Sequence, residues 1–112
     1  MNSLNIQDTV IVKFLETISG LNHQIQEMYL FGSRSRNDWR PDSDYDILIV
    51  LEKKERKIID SLYDAVMDVL LSTGSLISLK IFTLTEYNRL KSIPTPFMNN
   101  VINEGIKIGL HN

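Results

Sequence analysis

One segment of the chain is apolar on both of its faces, and this constrains the fold more than any other feature. Residues 45–51, YDILIVL, are rich in β-branched side chains and contain a single charged residue. Side chains of a strand alternate between the two faces of its sheet, so a strand of this composition has to be covered on both sides. The segment therefore predicts a central β-strand in the interior of a layered fold.

Periodic patterns before and after this strand predict helices and further strands. Apolar residues at helical spacing predict one helix over about residues 7–19 and another over residues 58–70, with Gly74 as the stop of the second. Short apolar runs predict two more strands, over residues 28–31 and 76–83. We expect the order helix, strand, charged connection, strand, helix, strand, with a further helix after it.

The last third of the chain carries turn and capping signals. Thr85 is a candidate cap for a short helix that runs through Leu90, and Pro94 and Pro96 are expected to end it. Residues 97–104 predict one more helical segment. The resulting fold class is a mixed α/β, or α+β, domain with a small mixed β-sheet packed with helices.

Length and composition limit the classes of function. The chain has 112 residues, which predicts one domain spanning residues 1–112. The net charge of −2 makes direct nucleic-acid binding an unfavoured reading, and the lack of cysteine excludes disulfides and thiolate metal sites. No apolar run is long enough to span a membrane and no secretory signal is visible, so we expect a cytoplasmic protein without a membrane partner.

A glycine-serine pair stands directly after the predicted strand over residues 28–31. Gly32 permits close approach of a ligand to the backbone, and the polar run 34–38 has the character of a short helix start. Amides at such a turn attract phosphate, and the guanidinium groups of Arg34 and Arg36 add positive charge. A plain turn after a strand, with both arginines on a solvated surface, is the alternative reading.

Two aspartates open the central strand. Asp44 and Asp46 are two residues apart, so both leave the same face of the strand while Tyr45 leaves the other. Carboxylates held on one side repel each other unless a cation lies between them, and Mg²⁺ prefers such oxygen ligands together with phosphate oxygens. The alternative is an acidic strand start after the turn at residues 41–43.

Taken together, these segments resemble a known family signature. Residues 32–36, GSRSR, and residues 43–46, SDYD, are similar to the hydrophobic-Gly-Ser, spacer, Asp-x-Asp signature of the polymerase-β-like nucleotidyltransferase superfamily. The arginines after the Gly-Ser pair and the serine before the first aspartate resemble the minimal nucleotidyltransferases (MNT). Those are short proteins that are often encoded beside a helical HEPN partner as toxin–antitoxin pairs.

The resemblance implies a role for each residue of the signature. Asp44 and Asp46 would be the catalytic carboxylates that hold Mg²⁺, with two metal ions clamping an in-line attack on the α-phosphate of a nucleoside triphosphate. Arg34 and Arg36 would brace phosphate oxygens. The residues that the resemblance assigns to the nucleotide are Gly32, Ser33, Arg34, Arg36 and Ser43.

The third predicted strand departs from the family pattern, which places another carboxylate there. The segment LISLKIFT contains no acid. Because Ile77, Leu79 and Ile81 form one apolar face, Ser78 or Lys80 is expected at the place of that carboxylate. Glu52, just past the central strand, is a further but poorly placed candidate for the role.

Two classes of function follow from this departure. In the first, the chain is an enzyme that binds Mg²⁺ and a nucleoside triphosphate, with ATP the expected nucleotide, and transfers the monophosphate to a hydroxyl of a HEPN-type partner. In the second, it is a catalytically weakened homologue that acts as an antitoxin or nucleotide-binding subunit by complex formation. The chain is too short to hold a separate acceptor domain, so either reading requires a partner.

Overall fold

A computed structural model of the chain describes residues 8–35 and 40–109. In these residues a four-stranded sheet is packed with helices, which confirms the predicted α+β class with a small mixed sheet. Short 3₁₀ turns occupy Ser19–Leu21 and Gly32–Ser35. The other elements in chain order are α1 (Thr9–Thr17), β1 (Ile25–Phe31), β2 (Tyr45–Leu51), α2 (Arg56–Thr73), β3 (Ile77–Thr83), α3 (Leu84–Lys91), α4 (Pro96–Glu104) and β4 (Ile106–Lys107).

The predicted central strand, β2, lies in the interior of the sheet. The strand order is β3-β2-β1-β4, and β2 pairs antiparallel with β1 and parallel with β3. Helix α2 makes the crossover that a parallel pair requires. The register places Asp46 between Phe31 of β1 and Ser78 of β3.

Each face of the sheet has its own apolar core. The first face is covered by α1 and α2, and its core includes Phe14 and Leu62 from these helices with Ile47 and Ile49 from β2. The second face is covered by α3 and α4, where Tyr87 and other apolar side chains pack over the opposite side of β2. The buried members of this second core are Phe31, Leu48, Val50, Tyr87, Met98 and Val101.

Helix ends follow ordinary capping rules at three places. Asp8 caps α1, and its Oδ1 accepts hydrogen bonds from the amides of Val10 and Ile11. Gly74 ends α2 in the left-handed region, at φ 79°, which confirms its predicted role as a stop. Helix α4 begins with Pro96 after the cap Thr95, so the predicted segment over 97–104 is also confirmed.

The structure corrects the predicted start of α3 and extends one strand. The cap is Thr83, not Thr85, because the Thr83 hydroxyl accepts from the amide of Glu86 while the Glu86 carboxylate accepts from the amide of Thr83. Strand β1 begins at Ile25, three residues before the prediction. The two-residue strand β4 was missed, since so short an element carries no periodicity.

In the residues that the structure describes, no helix combines the length and the apolar character that crossing a lipid bilayer would require.

Candidate functional site

The turn after β1 brings backbone and carboxylate into direct contact. Gly32 has a backbone φ angle of 75°, which residues other than glycine adopt only with strain. A Cβ atom added at Gly32 would collide with Oδ2 of Asp46 and would lie 3.2 Å from its Cγ. The position therefore needs glycine twice, for its backbone angle and for the room that Asp46 occupies.

Asp44 and Asp46 form an electrostatically coupled pair at the start of β2. Burial raises the pKa of Asp46 above its ordinary value of 3.8, and the negative charge of Asp44 raises it further. The charge of Lys80 acts in the opposite direction on the same pKa. The site thus holds more negative charge than its surroundings stabilise, which is the arrangement that attracts a cation.

The neighbouring strand β3 supplies Ser78 and Lys80 to the same face. Asp46 is in register with Ser78, and Leu48 with Lys80, while Ile77 is buried in the core on the first face. The expected alternation of β3 is confirmed. Lys80 consequently lies two residues further along the strands than Ser78, the register partner of Asp46, and its charge reaches Asp46.

Glu52 is at the wrong end of the central strand to join this pair. It follows the last residue of β2, six positions after Asp46, which corresponds to ~20 Å along an extended strand. There it lines a cavity of about 270 Å³ with His23 and Glu55. Within residues 8–35 and 40–109, no three His, Cys, Asp or Glu side chains are grouped so as to hold a metal ion.

Arg34 supports the connection between the turn and β2. Its Nε donates to the carbonyl of Ser43 at 3.2 Å, and its Nη2 donates to the carbonyls of Pro41 and Ser43 at 3.1 Å each. The guanidinium carbon lies 4.3 Å from the centre of the Tyr45 ring. These contacts hold the Arg34 side chain against the start of β2, and its predicted role in bracing phosphate oxygens stays a prediction.

Tyr45 links this connection to the first helix. Its hydroxyl donates to Oδ2 of Asp8 at 2.8 Å, while the other oxygen of Asp8 caps α1. Burial, and then the neighbouring carboxylate of Asp8, raise the pKa of Tyr45 to about 12, and the charge of Arg34 opposes them. Sequence analysis missed this role of Asp8, although an acid before an apolar helical pattern is a known cap signal.

Of the remaining residues that the signature assigns to the nucleotide, Ser33 and Ser43 lie in turns, and Arg36 lies outside the described residues. Ser43 closes the predicted turn, since its amide donates to the carbonyl of Arg40 at 2.9 Å and its Oγ accepts from the amide of Arg40 at 2.9 Å. Ser33 lies in the 3₁₀ turn after β1. Arg36, with Asp38 and Trp39, falls outside the described residues. The structure therefore brings together Gly32, Asp44 and Asp46, with Lys80 beside them.

A glycine turn packed against paired carboxylates, where the two central strands of a small mixed sheet meet, has groups that suit phosphate and a cation. Residues 13–111 match the family described as Polymerase beta, Nucleotidyltransferase. The chain belongs to this family, which confirms the resemblance of its signature. No curated protein sequence matches the chain.

Solved structures share the fold at low sequence identity. A toxin–antitoxin complex with AMP-PNP aligns with a TM-score of 0.59 at 21% identity, over 94% of this chain and 75% of that one. The tri-AMPylated Shewanella oneidensis HEPN toxin in complex with MNT antitoxin gives a TM-score of 0.53 at 19% identity, over 94% of this chain and 74% of that one. The toxin–antitoxin MntA–HepT gives 0.51 at 18%, over 93% and 74%.

The contact between Gly32 and Asp46 predicts a non-additive pair of substitutions. Gly32→Ala should lower the free energy of unfolding by at least ~1–2 kcal/mol, because of its positive φ and its collision with the carboxylate. In an Asp46→Ala background the same change should cost less, since Oδ2 and Cγ are gone. Urea unfolding of the four proteins of this cycle measures the difference, and strictly additive effects would contradict the contact.

The raised pKa of Asp46 predicts how stability depends on pH. The folded state binds this proton more tightly than the unfolded state does, so the group's contribution to stability is full below the unfolded pKa and is lost as the pH rises through the folded pKa. Asp46→Asn should therefore be more stable than the parent near pH 7, with the difference shrinking in acid. Thermal melting across pH measures this, with Asp42→Asn as the control; a difference that grows in acid would show the opposite shift.

Proposed function

We propose that the chain binds Mg²⁺ with a nucleoside triphosphate, ATP in the first instance, and transfers the monophosphate to a hydroxyl group of a helical HEPN-type partner. The contact of Gly32 with Asp46 carries the proposal, because a turn whose amides suit phosphate would then lie beside a carboxylate that suits a cation. Family membership supports nucleotidyl transfer as the reaction class. The AMP-PNP of one structural neighbour and the AMPylated HEPN toxin of another support the nucleotide and the partner.

The carboxylate pair fits one Mg²⁺. This ion is commonly held by one or two carboxylates together with phosphate oxygens, and the charge of Asp44 already disfavours ionisation of Asp46. When bound, it would neutralise phosphate charge and polarise the phosphoryl group that is attacked. A second ion fits poorly, because the ammonium of Lys80 acts on the same face and no third carboxylate joins the pair among the described residues.

The protein's own groups have separate tasks in this reaction. The amides of the turn that begins at Gly32 would hold phosphate oxygens, and Arg34 would keep the turn and the start of β2 in place through the Ser43 carbonyl. Lys80 would stand as a fixed positive charge beside the phosphates. The partner hydroxyl oxygen bonds to the α-phosphorus, and the bond from that phosphorus to the oxygen bridging the α- and β-phosphates breaks. Pyrophosphate leaves, and the hydroxyl proton passes to water.

The first test concerns binding. Affinity for ATP should depend on Mg²⁺ in the parent protein, and the double variant Asp44→Asn with Asp46→Asn should lose that dependence, a change of about tenfold or more. Isothermal titration with and without Mg²⁺ measures it, and Asp42→Asn provides an exposed acid from the preceding turn as the matched control. NMR shifts on addition of ATP that are the same with and without Mg²⁺, or that lie outside residues 32–46, would contradict the proposal.

A second candidate function is complex formation by a catalytically weakened homologue. It is favoured by Lys80, since a cation beside Asp46 opposes a second metal ion, and loss of that ion's stabilisation of the transition state slows the reaction by orders of magnitude. In this reading the chain still binds one Mg²⁺ and nucleotide, but it controls its partner by association.

A nucleotidyl-transfer assay distinguishes the enzyme from the catalytically weakened homologue. We expect the isolated chain to be slow or inactive, and we expect labelled AMP on the product of the adjacent gene when both proteins are mixed with Mg²⁺ and labelled ATP. Ser78→Asp should raise transfer, because residue 78 is in register with Asp46 and faces the site. Mass spectrometry of the acceptor measures the transfer. Stable complex formation with no transfer by either protein would favour the second candidate, and fast transfer by the isolated chain would contradict the expected deficit.

A further inference from the structure

Helix α2 carries an apolar ridge on the side that faces away from the sheet. Tyr63, Met67 and Leu71 are 51%, 53% and 78% exposed, and they follow each other at a spacing of four residues. Residues four apart on a helix are neighbours on one face, so the three side chains form a continuous strip. The inward side of α2 already supplies the core, which leaves this strip without a role in the fold.

An acidic row runs beside the ridge. Asp60, Asp64 and Asp68 are exposed and have the same four-residue spacing. Asp60 meets Arg56 at 3.9 Å, but both side chains are largely exposed and such pairs contribute little. Like charges at this spacing repel each other along the helix, so the row costs stability unless positive charge comes from outside.

This charge pattern selects among the possible occupants of the ridge. In an antiparallel two-fold pair of α2 helices, both acidic rows lie on the same side of the pair and face each other, which disfavours a second copy of the chain. An anionic lipid surface is disfavoured for the same reason. A helix with its own apolar strip and a row of Lys or Arg would satisfy both features at once.

We propose that the outer face of α2 is a docking surface for a basic amphipathic helix of a partner protein. The ridge Tyr63, Met67 and Leu71 packs against apolar side chains of that helix, and Asp64 and Asp68 pair with its cations. This surface does not rest on the proposed nucleotide function. It lies over the first face of the sheet, whereas Asp46 belongs to the second, so a docked helix leaves the candidate site open.

Two synthetic helical peptides test the surface. One has leucines at every fourth position beside a row of lysines, and the other is identical except that glutamates replace the lysines. We expect fluorescence anisotropy to show binding of the lysine peptide by the full chain, with the glutamate peptide weaker by about tenfold or more. NMR shifts from the lysine peptide should map to residues 60–71.

Variants of the full chain make the test specific. Met67→Glu should lower the affinity for the lysine peptide by about tenfold. Ile102→Glu, on α4, should leave that affinity unchanged, although Ile102 is similarly exposed at 58%. Asp64→Lys with Asp68→Lys should reverse the preference between the two peptides. Circular dichroism checks that each variant is folded, and ATP titration should be unchanged in all of them.

Three results would overturn the docking surface. The first is equal binding of both peptides, and the second is a shift map outside residues 60–71. The third is a concentration-dependent dimer in sedimentation that Met67→Glu dissociates, which would assign the ridge to a second copy. Loss of Mg²⁺-dependent ATP binding in the parent protein would contradict the proposed function alone and would leave this surface standing.

Discussion

The register of the central strand is the constraint on which the site depends. Side chains of β2 at odd positions from Tyr45 to Leu51 are buried on the first face, so a slip by one residue would turn all of them to the second face and bring Asp46 into the first core. An ionised carboxylate in that core would be strongly unfavourable. Apolar burial therefore fixes the pairing, and the pairing of Phe31 with Asp46 in turn places Gly32 against the carboxylate.

Contacts on the opposite side of β2 fix the strand segment that carries the two aspartates. Asp46 is disfavoured in its ionised form by burial and by Asp44, so nothing in the pair itself favours this geometry. The opposite side of the strand carries Tyr45, which Asp8 anchors through its hydroxyl and Arg34 covers on its ring. Because Arg34 also binds the carbonyl of Ser43, the residues before the aspartates are fixed by contacts that a ligand would not need to break.

Sequence reasoning succeeded where side-chain periodicity was strong. The bounds of β2 and its cover on both sides followed from a β-branched run that is apolar on both faces. Gly74 as a helix stop followed from the end of a helical stripe, and the common face of Ser78 and Lys80 followed from a spacing of two. Strand β4 could not be found in this way, because it has only two residues and is defined by its pairing with β1 in the folded protein. The Thr83 cap was readable, since Glu86 stands three residues later, but the strand pattern that ends at Thr83 hid it.

The position of Arg34 illustrates a different limit of sequence reasoning. A cation two residues after the glycine turn is compatible with phosphate binding, and its charge alone does not say where its long side chain goes. The structure turns the guanidinium toward two backbone carbonyls and an aromatic ring that come from residues 41–45. Those acceptors depend on the folded connection between two strands, so only the three-dimensional arrangement reveals them.

The balance of charge on the second face is the last link between structure and function. Two carboxylates and one ammonium leave a single net negative charge, whereas a triphosphate brings several more. In the proposed function, one Mg²⁺ between the aspartates would relieve the repulsion within the pair and among the phosphates, and Lys80 would add positive charge without the ligands that a second ion needs. Under the proposed function, this face would suit holding a nucleotide better than transferring it quickly, so the partner that supplies the acceptor would decide how much transfer takes place.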